Sequence, residues 1–135
     1  MINGLVSRTT GASWSFYFIK EKSEIRNIES IPISVPIKEL LIAMKIHSGR
    51  ISDVKDIVAL SEKINENLIL EYSLRGEMEE VKKITRKSLI YLKSRNFKDS
   101  FQGVFTINSY KKELLENTEK IFQAIINYKN NTKNI

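Results

Sequence analysis

The apolar residues of this chain change their period at Pro36, and that change limits the fold more than any other feature of the sequence. Upstream, Ser13-Trp14-Ser15-Phe16-Tyr17-Phe18-Ile19 alternates polar and aromatic residues before running apolar, and Ile31 to Val35 places apolar residues at every second position around Pro32. Period two is the signature of strands with one buried face. Pro32 suits an edge strand or a strand start, because it has no N–H to give to an interior ladder. Lys20 to Glu24 reads as a charged turn between the two strands, so a hairpin is expected. The turn signals Asn3-Gly4 and Thr9-Thr10-Gly11 lead into it.

From Pro36 onward the spacing is three and four. Pro36 suits the first turn of a helix, and Ile37, Leu40, Leu41 and Met44 form its apolar stripe. Gly49 breaks that helix. Ser52 is the expected N-cap of a second helix bearing Val54, Ile57, Val58 and Leu60, which fades at Asn65-Glu66-Asn67. A short helix follows over Leu68 to Leu74, and a longer one from Glu77 to Arg95 gathers Met78, Val81, Ile84, Leu89 and Leu92 on one side. Lys98 to Asn108 fits a loop, a short helix or an isolated strand. Ser109 then caps a last helix with Leu114, Leu115, Thr118, Ile121, Phe122, Ile125 and Ile126 on one face up to about Lys129, and Asn130 to Ile135 should fray. Strands followed by helices is the order of an α+β fold. The expectation is one domain over residues 1–135, with a small, mostly antiparallel sheet in 1–35 and four to five helices in 36–130.

At 135 residues one core is the ordinary outcome. No run of 18 apolar residues is present and the N-terminus lacks a secretory pattern, so the chain reads as a soluble cytoplasmic protein without membrane contact. The lack of cysteine excludes disulfides, thiolate zinc sites and a cysteine nucleophile, and His47 is the one imidazole. The net charge is +6, and it is uneven: residues 1–76 hold 10 Lys/Arg against 9 Asp/Glu, residues 77–135 hold 12 against 7. Lys82, Lys83, Arg86, Lys87 and Lys93 lie on the arc opposite the apolar stripe of their helix. Such an arc is either a solvated face or a contact for phosphate backbones, in which case binding to nucleic acid is weak and sequence-independent.

The densest polar pattern is Lys45 at a helix end, then Arg50-Ile51-Ser52-Asp53-Val54-Lys55-Asp56 after the break at Gly49. Asp53 and Asp56, three apart, share one helical face. Lys45, Arg50, Asp53 and Asp56 therefore read either as an ion-pair network that sets the angle between two helices or as ligand-binding residues. His47, near the helix end, suits a cap to carbonyls. Trp14, Phe16 and Phe18 read as core in preference to a platform for stacked bases.

The string Leu40-Leu41-Ile42-Ala43-Met44-Lys45 followed by Arg50-x-x-Asp53-x-x-Asp56-Ile57 resembles the C-terminal motif of minimal nucleotidyltransferase-like proteins, including the nucleotidyltransferase-like toxins of abortive-infection systems. The resemblance covers roughly residues 14–60. It implies a small sheet before the motif, and transfer of a nucleoside monophosphate from a triphosphate to a hydroxyl with Mg²⁺, Lys45 holding phosphate and the carboxylates supporting the metal or the lysine. Those families also carry an Asp-x-Asp pair on a strand after a Gly-Ser turn, because two-metal transfer needs converging carboxylates. This chain has no such pair; Gly11-Ala12-Ser13 with Glu21 and Glu24 is the nearest approach, and Glu21 and Glu24, three apart on a strand, would face opposite ways. The resemblance thus implies a degenerate nucleotidyltransferase-like protein with no catalytic or metal-ligating residues and no cofactor of its own. It would be inactive alone and act as a nucleotide-binding or protein-partner module, Mg²⁺ entering with a nucleoside triphosphate only where a partner supplies carboxylates. Three alternatives stand beside it: half of a split Mg-dependent nucleotidyltransferase, a basic nucleic-acid-binding module, and a subunit whose last helix packs on a protein partner or in a homodimer.

Overall fold

The computed structural model describes residues 3–102 and 108–129, apart from the side chains of 100–102 and 108–111. Gly4–Val6 (β1) and Ser13–Ser15 (β2) pair antiparallel, with Leu5 opposite Trp14. The chain then abandons its strand pattern. Ser15 is extended and its hydroxyl accepts the Phe18 N–H, which caps a helix over Phe16–Glu21 (α1). This corrects the strand expected through Ile19: a serine cap within three residues outweighs aromatic alternation. Trp14 is buried and Phe18 half-buried, whereas Phe16 is exposed and is not core.

Ser23–Ile28 (β3) and Ile31–Pro36 (β4) form a second antiparallel hairpin in register from Ser23 opposite Pro36 to Ile28 opposite Ile31. Its two turn residues, Glu29 and Ser30, both have positive φ, 51° and 69°, as a two-residue turn matched to strand twist requires. The two hairpins make separate two-stranded sheets. The expected turn at Lys20 to Glu24 is therefore displaced to Glu29-Ser30, and the expected single sheet is two.

Helix α2 (Lys38–Ser48) is buried on two sides. Leu40 and Ala43 pack with Ala12, Trp14 and Tyr72, while Ile42 and Ile46 join the larger core of Val54, Ile57, Val81, Phe97, Ile121, Phe122 and Ile125. The buried set is accordingly broader than the stripe of Ile37, Leu40, Leu41 and Met44, because a central helix has two neighbours to satisfy. Gly49 ends α2 with φ 68°, the left-handed conformation that glycine adopts at least cost. A 3-10 turn, Ile51–Asp53, then leads into α3 (Val54–Leu60). Ser52 sits inside that turn and does not cap the helix.

Asn65 caps α4 (Glu66–Ser73) by accepting the Leu68 N–H. Gly76 follows with φ 76°, and a Cβ there would lie 2.5 Å from the Thr10 carbonyl oxygen. Only glycine lets this turn press against the β1–β2 loop, where the Glu77 N–H donates to the same Thr10 oxygen at 2.7 Å. The chain continues through α5 (Met78–Leu92), α6 (Arg95–Gln102) and α7 (Asn108–Ile126). Among the described residues six α-helices follow Pro36 rather than four to five. Helix α7 buries Leu114, Thr118, Ile121, Phe122 and Ile125, and fully buried Phe and Ile side chains contribute about 1.5–3 kcal/mol each. Residues 103–107, with Val104-Phe105-Thr106-Ile107, and the segment 130–135 lie outside the described set, as does the side chain of Ser109, so the cap expected there does too. Among the described residues no helix is long and apolar enough to cross a membrane.

Candidate functional site

The structure brings Lys45, Arg50, Asp53 and Asp56 together at the α2–α3 corner. Lys45 lies in the last turn of α2, and the reversal at Gly49 returns the chain so that the 3-10 turn and the first turn of α3 face it. Lys45 Nζ is 3.0 Å from Asp56 Oδ2 and 3.6 Å from Asp53 Oδ1. Arg50 Nε donates to Asp53 Oδ2 at 3.0 Å, and the Ser48 hydroxyl lies 2.6 Å from that same oxygen. Asp53 is 5% exposed. Burial alone would raise its pKa, but the hydrogen bonds from Ser48 and Arg50 and the charges of Lys45 and Arg50 outweigh it and hold the carboxyl below its ordinary range. Ser48 is the member that sequence reasoning missed; its only signal was a hydroxyl one residue before the helix-breaking glycine.

Arg50 engages Asp53 through Nε alone, and its side chain is 71% exposed. Arg50 also lines a cleft of about 470 Å³ between this corner and the β1–β2 loop. Arg8, on that loop, lines the same cleft and makes no ion pair among the described residues. Leu5, Val6, Trp14 and Met44 supply apolar wall. The loop is held in place from below: Ser7 Oγ donates to the His47 carbonyl at 2.8 Å, and Ser7 N–H donates to the Ala12 carbonyl at 2.8 Å. Two arginines and an apolar wall lining one cleft suit a ligand with an anionic end and a flat apolar end.

His47 lies directly beneath, fully buried. Nε2 is 2.7 Å from the Ser73 carbonyl, so Nε2 carries a proton, and Nδ1 of the neutral ring then accepts the Thr10 hydroxyl at 2.7 Å. The Trp14 ring meets it edge-on at 5.1 Å. The imidazole does bond a carbonyl, although the carbonyl belongs to α4 and not to its own helix. Burial lowers its pKa, the bond to the Ser73 carbonyl partly opposes this, and the Arg75 charge lowers it further.

On α5 the five-cation arc is not uniform: Lys93 pairs with Glu119 at 3.3 Å, which leaves Lys82, Lys83, Arg86 and Lys87. Lys82 is half-buried and donates to the Tyr128 carbonyl at 2.6 Å, tying down the end of α7, whereas Lys83, Arg86 and Lys87 are exposed without ion pairs among the described residues. Three phosphate contacts are then available, and the log-log salt slope for duplex DNA should be about −3 rather than the −4 of a four-cation arc. Binding isotherms at several salt concentrations will measure it, and tight binding that survives high salt would contradict it. Glu24, the nearest approach to a strand carboxylate, pairs with Arg26 at 2.9 Å on the exposed hairpin. Among the described residues no three His, Cys, Asp or Glu side chains converge to hold a metal ion. No protein-family model, curated protein or solved structure matches this chain.

Proposed function

We propose that this chain is a degenerate nucleotidyltransferase-like protein that binds a nucleotide, or a similar phosphate-bearing ligand, without turning it over alone. The observation that supports this reading is the convergence of Arg8 and Arg50 on one cleft with an apolar wall. Paired guanidinium groups match the oxygens of a polyphosphate in a way that single ammonium groups do not. In this arrangement Arg50 and Arg8 contact phosphate, Leu5, Val6 and Met44 offer surface to the base, and Asp53 fixes Arg50 through its Nε. Lys45 and Asp56 complete the charge balance of the corner.

Isothermal titration with ATP and GTP, each with and without Mg²⁺, tests the reading. Open clefts with few anchors bind weakly, and a dissociation constant of roughly 0.1–1 mM is expected. Arg8→Ala should weaken binding at least about tenfold, since it removes a charge-assisted hydrogen bond worth about 1.5–3 kcal/mol. Its exposure makes this the clean variant, with no loss of stability. Incubation with labelled triphosphate, Mg²⁺ or Mn²⁺ and mixed acceptors should release no pyrophosphate above background. Turnover abolished by Asp53→Asn would establish an active transferase instead, and an absence of binding would remove the nucleotide reading altogether.

A further inference from the structure

The β3–β4 hairpin projects with little of it buried: Ile25 is 68% exposed, Ile31 is 61% and Ile28 is 53%. A lone two-stranded hairpin is marginally stable in water, and an aliphatic one with open edges invites another strand. We propose that the chain forms a two-fold homodimer through the free edge of β3, which pairs antiparallel with β3 of a second copy about Ile25.

The two edges of the hairpin are unequal, and the ladder phase shows how. Ile37 N–H donates to the Lys22 carbonyl at 2.8 Å, which makes Lys22 and Ile37 a hydrogen-bonded rung just beyond Ser23 and Pro36. Rungs of this kind alternate in an antiparallel pair. Glu24–Val35, Arg26–Ile33 and Ile28–Ile31 therefore turn their backbone groups inward, while Ser23, Ile25 and Asn27 on β3, and Pro32, Ser34 and Pro36 on β4, turn theirs outward. Two of the three outward positions of β4 are proline and have no N–H to offer, which closes that edge. On β3 all three retain both donor and acceptor, and no turn, loop or cap bond reaches them among the described residues.

Charge order selects a second copy as the occupant. About a two-fold axis at Ile25, Glu24 of each chain stands opposite Arg26 of the other, so the sequence Glu24-Ile25-Arg26 is complementary to its own reversal. Ile25 faces its symmetry mate as a hydrogen-bonded pair, and Ser23 faces Asn27. The Glu24–Arg26 rungs fall between, at the closer side-chain spacing of non-hydrogen-bonded pairs. The exposed Glu24–Arg26 pair within each hairpin is exchanged for a pair across the axis, two in all. The product is a continuous four-stranded sheet whose outer edges are both proline-blocked.

Sedimentation velocity of the full chain over a wide concentration range should show a concentration-dependent dimer. Ile25→Pro removes an outward N–H and no bond within the hairpin, so it should yield a monomer with an unchanged circular dichroism spectrum. Glu24→Arg and Arg26→Glu each place like charges across the axis and should each weaken the dimer at least about tenfold. Mixed one to one, those two variants restore both pairs and should form a heterodimer. A wild-type chain that stays monomeric throughout, a dimer untouched by Ile25→Pro, or a mixture that associates no better than its components overturns the proposal. In the first case any partner strand comes from a different protein; in the second the interface lies on another face.

Discussion

His47→Ala should lower the unfolding free energy by about 3–4 kcal/mol, the largest loss expected from any single polar residue here. The ring is fully buried and bridges three segments, α2 through its own backbone, α4 through the Ser73 carbonyl and the β1–β2 loop through Thr10. Alanine leaves the Thr10 hydroxyl without its acceptor, leaves the Ser73 carbonyl with the Arg75 N–H alone, and opens a cavity beside Trp14. Denaturant titration will measure the cost, and His47→Gln, which can keep one of the two bonds, should lose less. A cost under about 1 kcal/mol would mean that water replaces the ring and that the bridge matters little. The same residue should make stability depend on pH. Its pKa in the folded chain is lowered from an ordinary value of 6.5, so the unfolded chain binds more protons in the window between the two values. Its contribution is fully present above pH 6.5 and is lost as pH falls below it. The wild-type melting temperature should decline from pH 7 toward pH 5, and His47→Gln should flatten that decline.

Asp53→Ala should cost about 2 kcal/mol, and Lys45→Ala about half as much. The asymmetry follows from burial: Asp53 is 5% exposed and gathers three partners, so its removal opens a small cavity and takes from Arg50 its one ion pair among the described residues, while Lys45 keeps Asp56 and the Ser48 hydroxyl keeps the Lys45 carbonyl. Without Lys45, by contrast, Asp53 still has Ser48 and Arg50. Exposed Lys and Arg groups remain solvated, which holds the penalty below that of a fully buried pair. Asp53→Asn retains one oxygen to accept from Ser48 and Arg50, which share a single oxygen of Asp53, and should cost less than alanine. Because the folded pKa of Asp53 is depressed below 3.8, its contribution is present above that value and is lost as pH falls through the depressed one. Thermal melts of the three variants decide the order. If Lys45→Ala left the melting temperature unchanged yet abolished triphosphate binding, the lysine would be a ligand contact and the network account would fail.

The parts of the fold legible in the sequence are those whose information is local. In α7 every residue of the expected stripe is buried or half-buried, and in α3 Val54, Ile57 and Val58 are core, because each helix buries one continuous face, α7 against α5, α3 and α4 and α3 against α2 and α7. The charged corner was legible because its information is local too: Lys45, Arg50, Asp53 and Asp56 lie close along the chain, and a glycine with positive φ reverses it between them; the Ser48 hydroxyl that joins them was not. Of the second hairpin, the strand expected at Ile31 to Val35 is found as Ile31–Pro36, but its pairing was not legible, since its turn is Glu29-Ser30, residues that give no turn signal of the Asn-Gly kind although both adopt left-handed φ. Helix α1 was hidden because a capping serine and an aromatic alternation compete over the same residues.

Pattern and spacing thus determined the α+β order, the helical faces and the pairing of charges at the corner, all of which depend on neighbours a turn or two away. Tertiary packing alone decided that Arg8 would meet Arg50 across a cleft, that His47 would bond groups 26 and 37 residues distant, and that the four strands would part into two sheets. Such contacts depend on where whole elements come to rest, and that is set by filling a shared core and satisfying every buried donor, conditions that no single period along the chain encodes.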